Sequence, residues 1–246
     1  MKQLVIDVGA TSIKWTTFVN EERGSVRRRR TPSPCSVDEL TQIVVQRVNT
    51  HAPDEVALGF PGTVLDGVVL DPANLARLGG TGGEVVEAIY QEWLNCDFQD
   101  HLATHCGQRV TVVNDAVAAS AGVVAHAGRA LVVTLGTGCG VALKVDGELV
   151  PIRDCGSDLI EGETLDCIVG EAGRRRDETR WRSHVPEVLR YLSQEFEADA
   201  VHLAGGNAQR FSPREFEALP WPVYIERQPV ALDGLHRILS TRDRLC

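Results

Sequence analysis

Four short stretches hold the residue types that phosphate chemistry needs. The first is Asp7-Val8-Gly9-Ala10-Thr11-Ser12, followed by Lys14. A turn of small and hydroxyl residues exposes backbone N–H groups and hydroxyls, a nest that suits phosphate oxygens. Asp7 stands just ahead of it, where a carboxylate can hold Mg2+ directly or through water. Lys14 adds a positive charge there, unless it simply faces solvent. The same residues also suit a plain hairpin whose aspartate caps the turn. The second stretch, Leu135-Gly136-Thr137-Gly138-Cys139-Gly140, has glycines at alternate positions, which lets backbone approach a polyanion closely. A strand rather than a helix follows it, so it is not a dinucleotide fingerprint, and no Gly-Lys-Ser/Thr completes a Walker loop. The third, Ala204-Gly205-Gly206-Asn207, suits either a flat nucleoside or a helix-entry turn. The fourth is Asn114-Asp115, between a strand and a helix. Asp115 there is either the helix N-cap or a base at the carboxyl end of a strand, where sites in open α/β sheets lie.

These residues have to be carried by regular elements. Residues 3–8 and 15–20 read as strands, and EERG at 21–24 as a turn. SVRRRRTP at 25–32 reads as a strand charged enough for a sheet edge. Its run Arg27–Arg30 reads as a solvated strand end or loop rather than a nucleic-acid patch. Apolar residues at 37, 40, 43–45 and 48 predict an amphipathic helix over 37–49, with Ser36 and Glu39 as its capping box. A buried strand is expected at 55–60 and a hairpin around Asp66-Gly67. A glycine-rich loop at 79–83, a helix at 84–93 and a strand at 109–115 follow, then a close-packing helix at 116–127. Two strands joined by the glycine turn span 130–145, and 164–196 is mostly helical. A strand and then a glycine loop over 200–208, a last strand at 223–228 and a closing helix at 232–239 complete the chain. Strand clusters alternate with helices, which is an α/β plan. The strand–glycine turn–strand at 3–20 recurs at 130–145, as two halves built alike would require.

Composition narrows the function classes. The chain has 246 residues, 43% hydrophobic and 24% charged, with a formal net charge of −9. That balance argues against a nucleic-acid partner. No stretch reaches the length of a transmembrane helix and no membrane association is expected. The N-terminus lacks the signature of a signal peptide. Seven cysteines without CxxC spacing suit reduced thiols in a cytoplasmic protein. The seven histidines form no HExxH pattern and read as surface or packing residues.

Taken together, DVGATSIKW, GFPGTV, NDAVAAS, TLGTGCGVAL and HLAGGNA resemble, in order and over nearly the whole chain, the motifs of the ROK-type sugar kinases. These belong to the hexokinase/actin/Hsp70 superfamily, and the likeness is greatest to the short branch that includes polyphosphate glucokinases. The resemblance implies two ribonuclease-H-like lobes with a cleft between them, expected to divide as 1–116 and 117–246. Such a plan allows the last helix to return to the first lobe. It implies a kinase that moves a phosphoryl group from ATP or polyphosphate, with Mg2+, to a sugar or polyol hydroxyl. Asp115 would be the general base, and Asn114 and the backbone near Gly62 would bind the sugar. Asp7, Gly9, Ala10, Thr11 and Lys14 would hold donor phosphate and metal. Gly136, Thr137 and Gly138 would form a second phosphate turn, and Gly205 and Gly206 a nucleoside-proximal loop. A homodimer is a family expectation.

The chain departs from the family at Asp154-Cys155-Gly156-Ser157, where Glu-Leu-Gly-His is typical. Asp154 and Ser157 are the substrate-binding candidates left there, with Glu161 or Glu163 either replacing lost contacts or serving as loop acids. The histidine and cysteine cluster of the zinc-binding branch are missing, so no zinc site is expected. Ala10 stands where glycine is common, which is tolerable if its φ is negative. The changed segment keeps a second reading in view, a catalytically altered or inactive relative that only senses a ligand. Sugar-responsive repressors of the family carry an N-terminal DNA-binding domain, for which a phosphate turn at residue 7 leaves no room. An actin- or chaperone-like ATPase fits the Asn-Asp-Ala segment less well.

Overall fold

The structure is a computed structural model describing residues 1–80, 83–123, 127–150, 152–153, 155–160, 162–227 and 229–242. The chain forms two compact units, residues 1–118 with the C-terminal helix from Ala231, and residues 119–230.

In the first unit β1 (Lys2–Val8) and β2 (Ser12–Val19) form an antiparallel hairpin, with Asp7 opposite Lys14. Short β3 (Glu22–Arg23) and β4 (Arg27–Arg30) both pair with β2. The expected turn at 21–24 thus contains two paired residues. Helix α1 (Val37–His51) has the predicted capping box, with the Glu39 amide donating to Ser36 Oγ and the Ser36 amide to Glu39 Oε2. β5 (Glu55–Phe60) lies parallel between β1 and β9 (Arg109–Asn114). All six of its residues are buried, as expected of a central parallel strand covered on both faces. Between β5 and β9 run β6 (Thr63–Leu65), β7 (Val68–Asp71), α2 (Glu87–Trp93), β8 (Cys96–Asp97) and α3 (Phe98–Cys106). Helix α2 starts three residues later than expected, and β8 and α3 were not foreseen. Helix α4 (Asp115–Gly122) follows β9 at once.

Alternation along the strands divides the core. Leu4, Ile6, Val8, Ile13 and Trp15 join α1, α2 and α3 on one face. Val5, Phe18 and Ala57 join Ala118 and the last helix on the other.

The second unit repeats the plan. β10 (Arg129–Leu135) and β11 (Cys139–Val145) form the hairpin, and β12 (Glu148–Val150) extends it. Short β13 (Leu159–Ile160) and β14 (Glu163–Thr164) pair with each other. The helical stretch is three helices, α5 (Leu165–Val169), α6 (Glu171–Arg176) and α7 (Glu178–Glu195). β15 (Ala200–Ala204) lies parallel to β10, and β16 (Val223–Ile225) beside it. The sheet order β12-β11-β10-β15-β16 matches β3-β2-β1-β5-β9 of the first unit, a hairpin followed by two parallel strands. Each unit is therefore a ribonuclease-H-like lobe. Helix α8 (Val230–Arg242) belongs to the first unit, where Leu232, Leu235 and Leu239 pack on Val5, Phe18 and Ala57. No helix among the described residues is long and apolar enough to cross a membrane.

Candidate functional site

The first glycine turn joins β1 to β2, and its conformation is set from outside. The Gly9 amide donates to the Ser12 carbonyl at 3.1 Å. Buried Thr31, just beyond β4, donates Oγ1–H to the Gly9 carbonyl at 2.6 Å and its amide to the Thr11 carbonyl at 3.2 Å. With those carbonyls engaged, the amide edge is the side the turn can offer to phosphate. Ala10 is absent from the positive-φ residues, so its methyl sits without backbone strain. Lys14 does not merely face solvent, because its Nζ lies 3.2 Å from Asp7 Oδ2, with Asp7 only 14% exposed. Asp7 is thus a part-buried carboxylate beside the turn, with its charge offset by Lys14.

The second corner lies where β9 ends. Asn114, not Asp115, caps α4. Its Oδ1 accepts from the Ala116 and Val117 amides at 2.8 and 3.2 Å. Its Nδ2 donates to the Gly62 carbonyl at 2.7 Å. One amide side chain thus closes the helix and ties it to the Pro61-Gly62 segment after β5. Gly62 is required there by packing, since a Cβ would lie 2.2 Å from the Asp71 carbonyl. Asp115, relieved of capping, is the first residue of α4 and half-buried at the carboxyl end of a parallel strand. β5 packs on α4 at Gly59, whose Cβ position lies at an ordinary contact distance of 3.5 Å from the Ala118 methyl.

In the second unit the turn between β10 and β11 is braced on three sides. The Glu171 amide donates to the Gly136 and Thr137 carbonyls at 3.0 and 3.1 Å. Asn207 Nδ2 reaches the Gly136 carbonyl at 3.0 Å and Glu171 Oε2 at 3.1 Å. Asp166 Oδ1 accepts from the Cys139 amide at 2.7 Å, while the Asp166 amide donates to the Gly156 carbonyl. The Arg174 guanidinium grips both Glu171 oxygens, at 2.7 and 2.8 Å. That grip, helped by Arg175 and Asn207, holds the Glu171 carboxyl down at about 2.

The glycines of these loops do different work. A Cβ at Gly138 would lie 2.5 Å from Asp166 Oδ1, and one at Gly205 (φ +93°) 2.2 Å from the Leu135 carbonyl. Gly136 and Gly206 have nothing within 4 Å of their Cβ positions. Gly138 and Gly205 are glycines for packing, whereas Gly136 and Gly206 face open space. A short 3-10 turn over Ala208–Arg210 follows the third loop.

Of the acceptor-side candidates, Ser157 is exposed in a turn and Asp154 lies outside the described residues, as does Glu161. Glu163 is ion-paired to Arg176 at 2.7 Å. Sequence reasoning missed Thr31, Asp166 and Glu171 as braces. Asn207 stood within the quoted AGGN motif, but nothing local marked it as the residue that reaches across to Gly136. Among the described residues no three metal-ligating side chains gather.

Comparison with known proteins converges on one family. The model of the ROK family matches residues 3–152. Polyphosphate glucokinase from Mycobacterium tuberculosis is 25% identical over 241 residues, covering 92% of this chain and 83% of that protein. The polyphosphate glucokinase of Mycobacterium leprae is 24% identical, covering 94% and 69%. Among solved structures, the inorganic polyphosphate/ATP-glucomannokinase of an Arthrobacter species superposes with a TM-score of 0.82 at 25% identity, over 98% of this chain and 99% of that one. A ROK family glucokinase from Streptomyces griseus, in complex with glucose and AMPPNP, shares the fold with a TM-score of 0.70 at 16% identity, over 97% and 99%.

Proposed function

We propose that this chain, which belongs to the ROK family, is a sugar kinase of the polyphosphate-glucokinase-like branch, moving a phosphoryl group from a phosphate donor to a sugar hydroxyl. The observation that carries the reading is the Asn114 tie. It gives the capping to Asn114 and ties the residue preceding Asp115 to the Gly62 carbonyl, which supports a base held at the end of β9. Asp115 accepts the proton of the attacking hydroxyl as the oxygen bonds to phosphorus. The Gly62 segment orients the acceptor, and Asn114 acts mainly as its positioning residue.

Phosphoryl transfer depends on positioning and charge neutralisation more than on covalent help from the protein. In the first unit the Gly9–Ser12 turn and Lys14 serve the donor phosphates. In the second unit, taken by itself, the open backbone at Gly136 and Gly206, held rigid by Glu171, Asn207 and Asp166, has the same capacity for phosphate. Asp7 fits a Mg2+ ion. A single part-buried carboxylate, with donor oxygens and water for the rest, is a usual Mg2+ arrangement. Such an ion would supply charge neutralisation on the donor. The donor is polyphosphate or ATP, as in the relatives' names. The sensor reading is not favoured, since Asp7, Asp115 and both phosphate turns are present together.

A panel of hexoses, offered with ATP and then with polyphosphate, tests the reading. Turnover by the wild type is expected. Asp115→Asn should lower kcat by about 10²–10⁴ with little change in thermal midpoint. Failure of every donor–acceptor pair, or full activity in that variant, would overturn it.

A further inference from the structure

The four arginines of β4 have no part in the chemistry so far. All four are exposed, on a strand that hydrogen-bonds to β2 alone and so forms the sheet's edge. Their register divides them. Arg27 pairs with Trp15 and Arg29 with Ile13, whose side chains are buried on the α1 face. Arg28 pairs with Lys14, itself opposite Asp7, and Arg30 pairs with Ser12 of the phosphate turn. Directly paired residues point to one face of a sheet. Arg28 and Arg30 therefore share the face of Asp7 and Lys14, and continue the positive charge outward from the turn. Neither of them, nor Arg27 or Arg29, has an ion pair among the described residues, whereas Lys14 is paired with Asp7.

We propose that Arg28 and Arg30 are an extension site for the distal phosphates of a linear polyphosphate donor whose reacting end lies at the Gly9–Ser12 turn. The proposal rests on the kinase reading and names the donor for which that site is built. Edge strands often carry charge to block pairing with other chains. That accounts for charge on β4, but not for four charges of one sign, two of them in the row of Asp7 and Lys14. A chain of net charge −9 repels a polyanion as a whole, so a local cationic row is needed to hold one, and four adjacent guanidinium groups repel one another until an anion sits among them. Guanidinium groups match phosphate oxygens in a bidentate way.

Distance and charge pattern select the donor. Arg28 and Arg30 are two residues apart, about 7 Å along the strand, and one strand spacing of about 5 Å from β2. A nucleotide's charge ends at its third phosphate and gives way to a neutral nucleoside. Polyphosphate bears charge on every unit, so only it has anions left to place beside Arg30 and then Arg28.

Steady-state kinetics with long-chain polyphosphate, tripolyphosphate and ATP test the site at physiological salt. The Arg28→Ala/Arg30→Ala double variant should raise KM for long-chain polyphosphate about tenfold, equivalent to about 1.4 kcal/mol. KM for ATP and for tripolyphosphate should stay within about twofold. The salt dependence of the long-chain KM should become shallower, because fewer counterions are exchanged. Arg27→Ala/Arg29→Ala, on the other face, should leave all donors unchanged, and Arg28→Lys/Arg30→Lys should recover part of the loss. Equal effects on ATP and polyphosphate, equal effects of the two pairs, or no effect would overturn the proposal. A binding titration of long-chain polyphosphate against a single-stranded oligonucleotide of matched charge needs no turnover. Preference for polyphosphate that is lost in Arg28→Ala/Arg30→Ala supports the site, and equal affinity for both polyanions overturns it. Absence of sugar phosphorylation with intact polyphosphate binding would sink the kinase reading alone.

Discussion

Replacing Asn114 by aspartate separates the two jobs its amide does. In Asn114→Asp one oxygen still accepts from the Ala116 and Val117 amides, which sit 2.8 and 3.2 Å from it. A charge at a helix N-terminus is favoured by about 0.3–1 kcal/mol, so the cap survives or improves. The other atom turns from donor to acceptor, 2.7 Å from the Gly62 carbonyl. The lost hydrogen bond is worth about 0.5–1.5 kcal/mol, and an acceptor left unpaired in a part-buried place costs about 1–3 kcal/mol. The balance is a loss of about 1–3 kcal/mol. At about 2–4 °C per kcal/mol for a chain of this size, the thermal midpoint should fall by about 2–12 °C. Asn114→Ala removes the cap as well, at about 1 kcal/mol more, and should be the less stable of the two. Gly62 is packed against Asp71 and Pro72, so it cannot close in to compensate, and repulsion can only push the segment away. KM for the sugar should therefore rise in Asn114→Asp. Calorimetry and acceptor kinetics on both variants provide the check. A wild-type midpoint together with a wild-type acceptor KM in Asn114→Asp would refute the reasoning, because the tie to Gly62 would then carry nothing.

Three further outcomes follow from the second unit. Gly205→Ala combines φ +93° with a Cβ 2.2 Å from the Leu135 carbonyl, and should destabilise by about 2–4 kcal/mol in urea unfolding. Gly206→Ala meets nothing within 4 Å and should leave stability within about 0.5 kcal/mol while raising the donor KM; an unchanged donor KM would remove Gly206 from the donor site. Glu171 gives a pH signature. Its carboxyl is depressed from 4.5 to about 2 in the folded protein, chiefly by Arg174, so its stabilisation is present above about pH 4.5 and is lost as pH falls through about 2. Glu171→Gln should be less stable than wild type near neutrality, with the gap closing between pH 4.5 and 2; unfolding curves whose gap does not vary with pH would contradict the Arg174 grip.

Much of the frame could be read from local patterns. The capping box of α1, the Asp66-Gly67 hairpin, the uninterrupted apolar run of β5 and the charged edge strand are each specified within a few residues. Helix α3 was not foreseen because it buries only Phe98 and Leu102, too few for a clear helical period. Its ends did carry signals, the Asp97 cap that accepts from the Asp100 amide and the left-handed Gly107. The break between α5 and α6 within 164–196 falls at Gly170, where a Cβ would lie 2.3 Å from the Asp166 carbonyl and 2.4 Å from that of Thr137. A glycine alone does not disclose such a crowded place.

The candidate site shows the same division. Residue types and order were enough to single out the phosphate turns and the Asn-Asp pair, because turn chemistry, hydroxyl content and strand-to-helix junctions are properties of neighbours along the chain. Which member of each pair does which task was settled only through space. Asn114 rather than Asp115 became the cap because the Gly62 carbonyl, 52 residues away, fixed its amide. Gly136 was left open and Gly138 filled because Asp166 packs against one and not the other. Thr31 and Asn207 brace turns 22 and 71 residues distant. Such roles depend on hydrogen-bond partners that the fold brings together, and a linear sequence carries the donors and acceptors without saying which of them will meet.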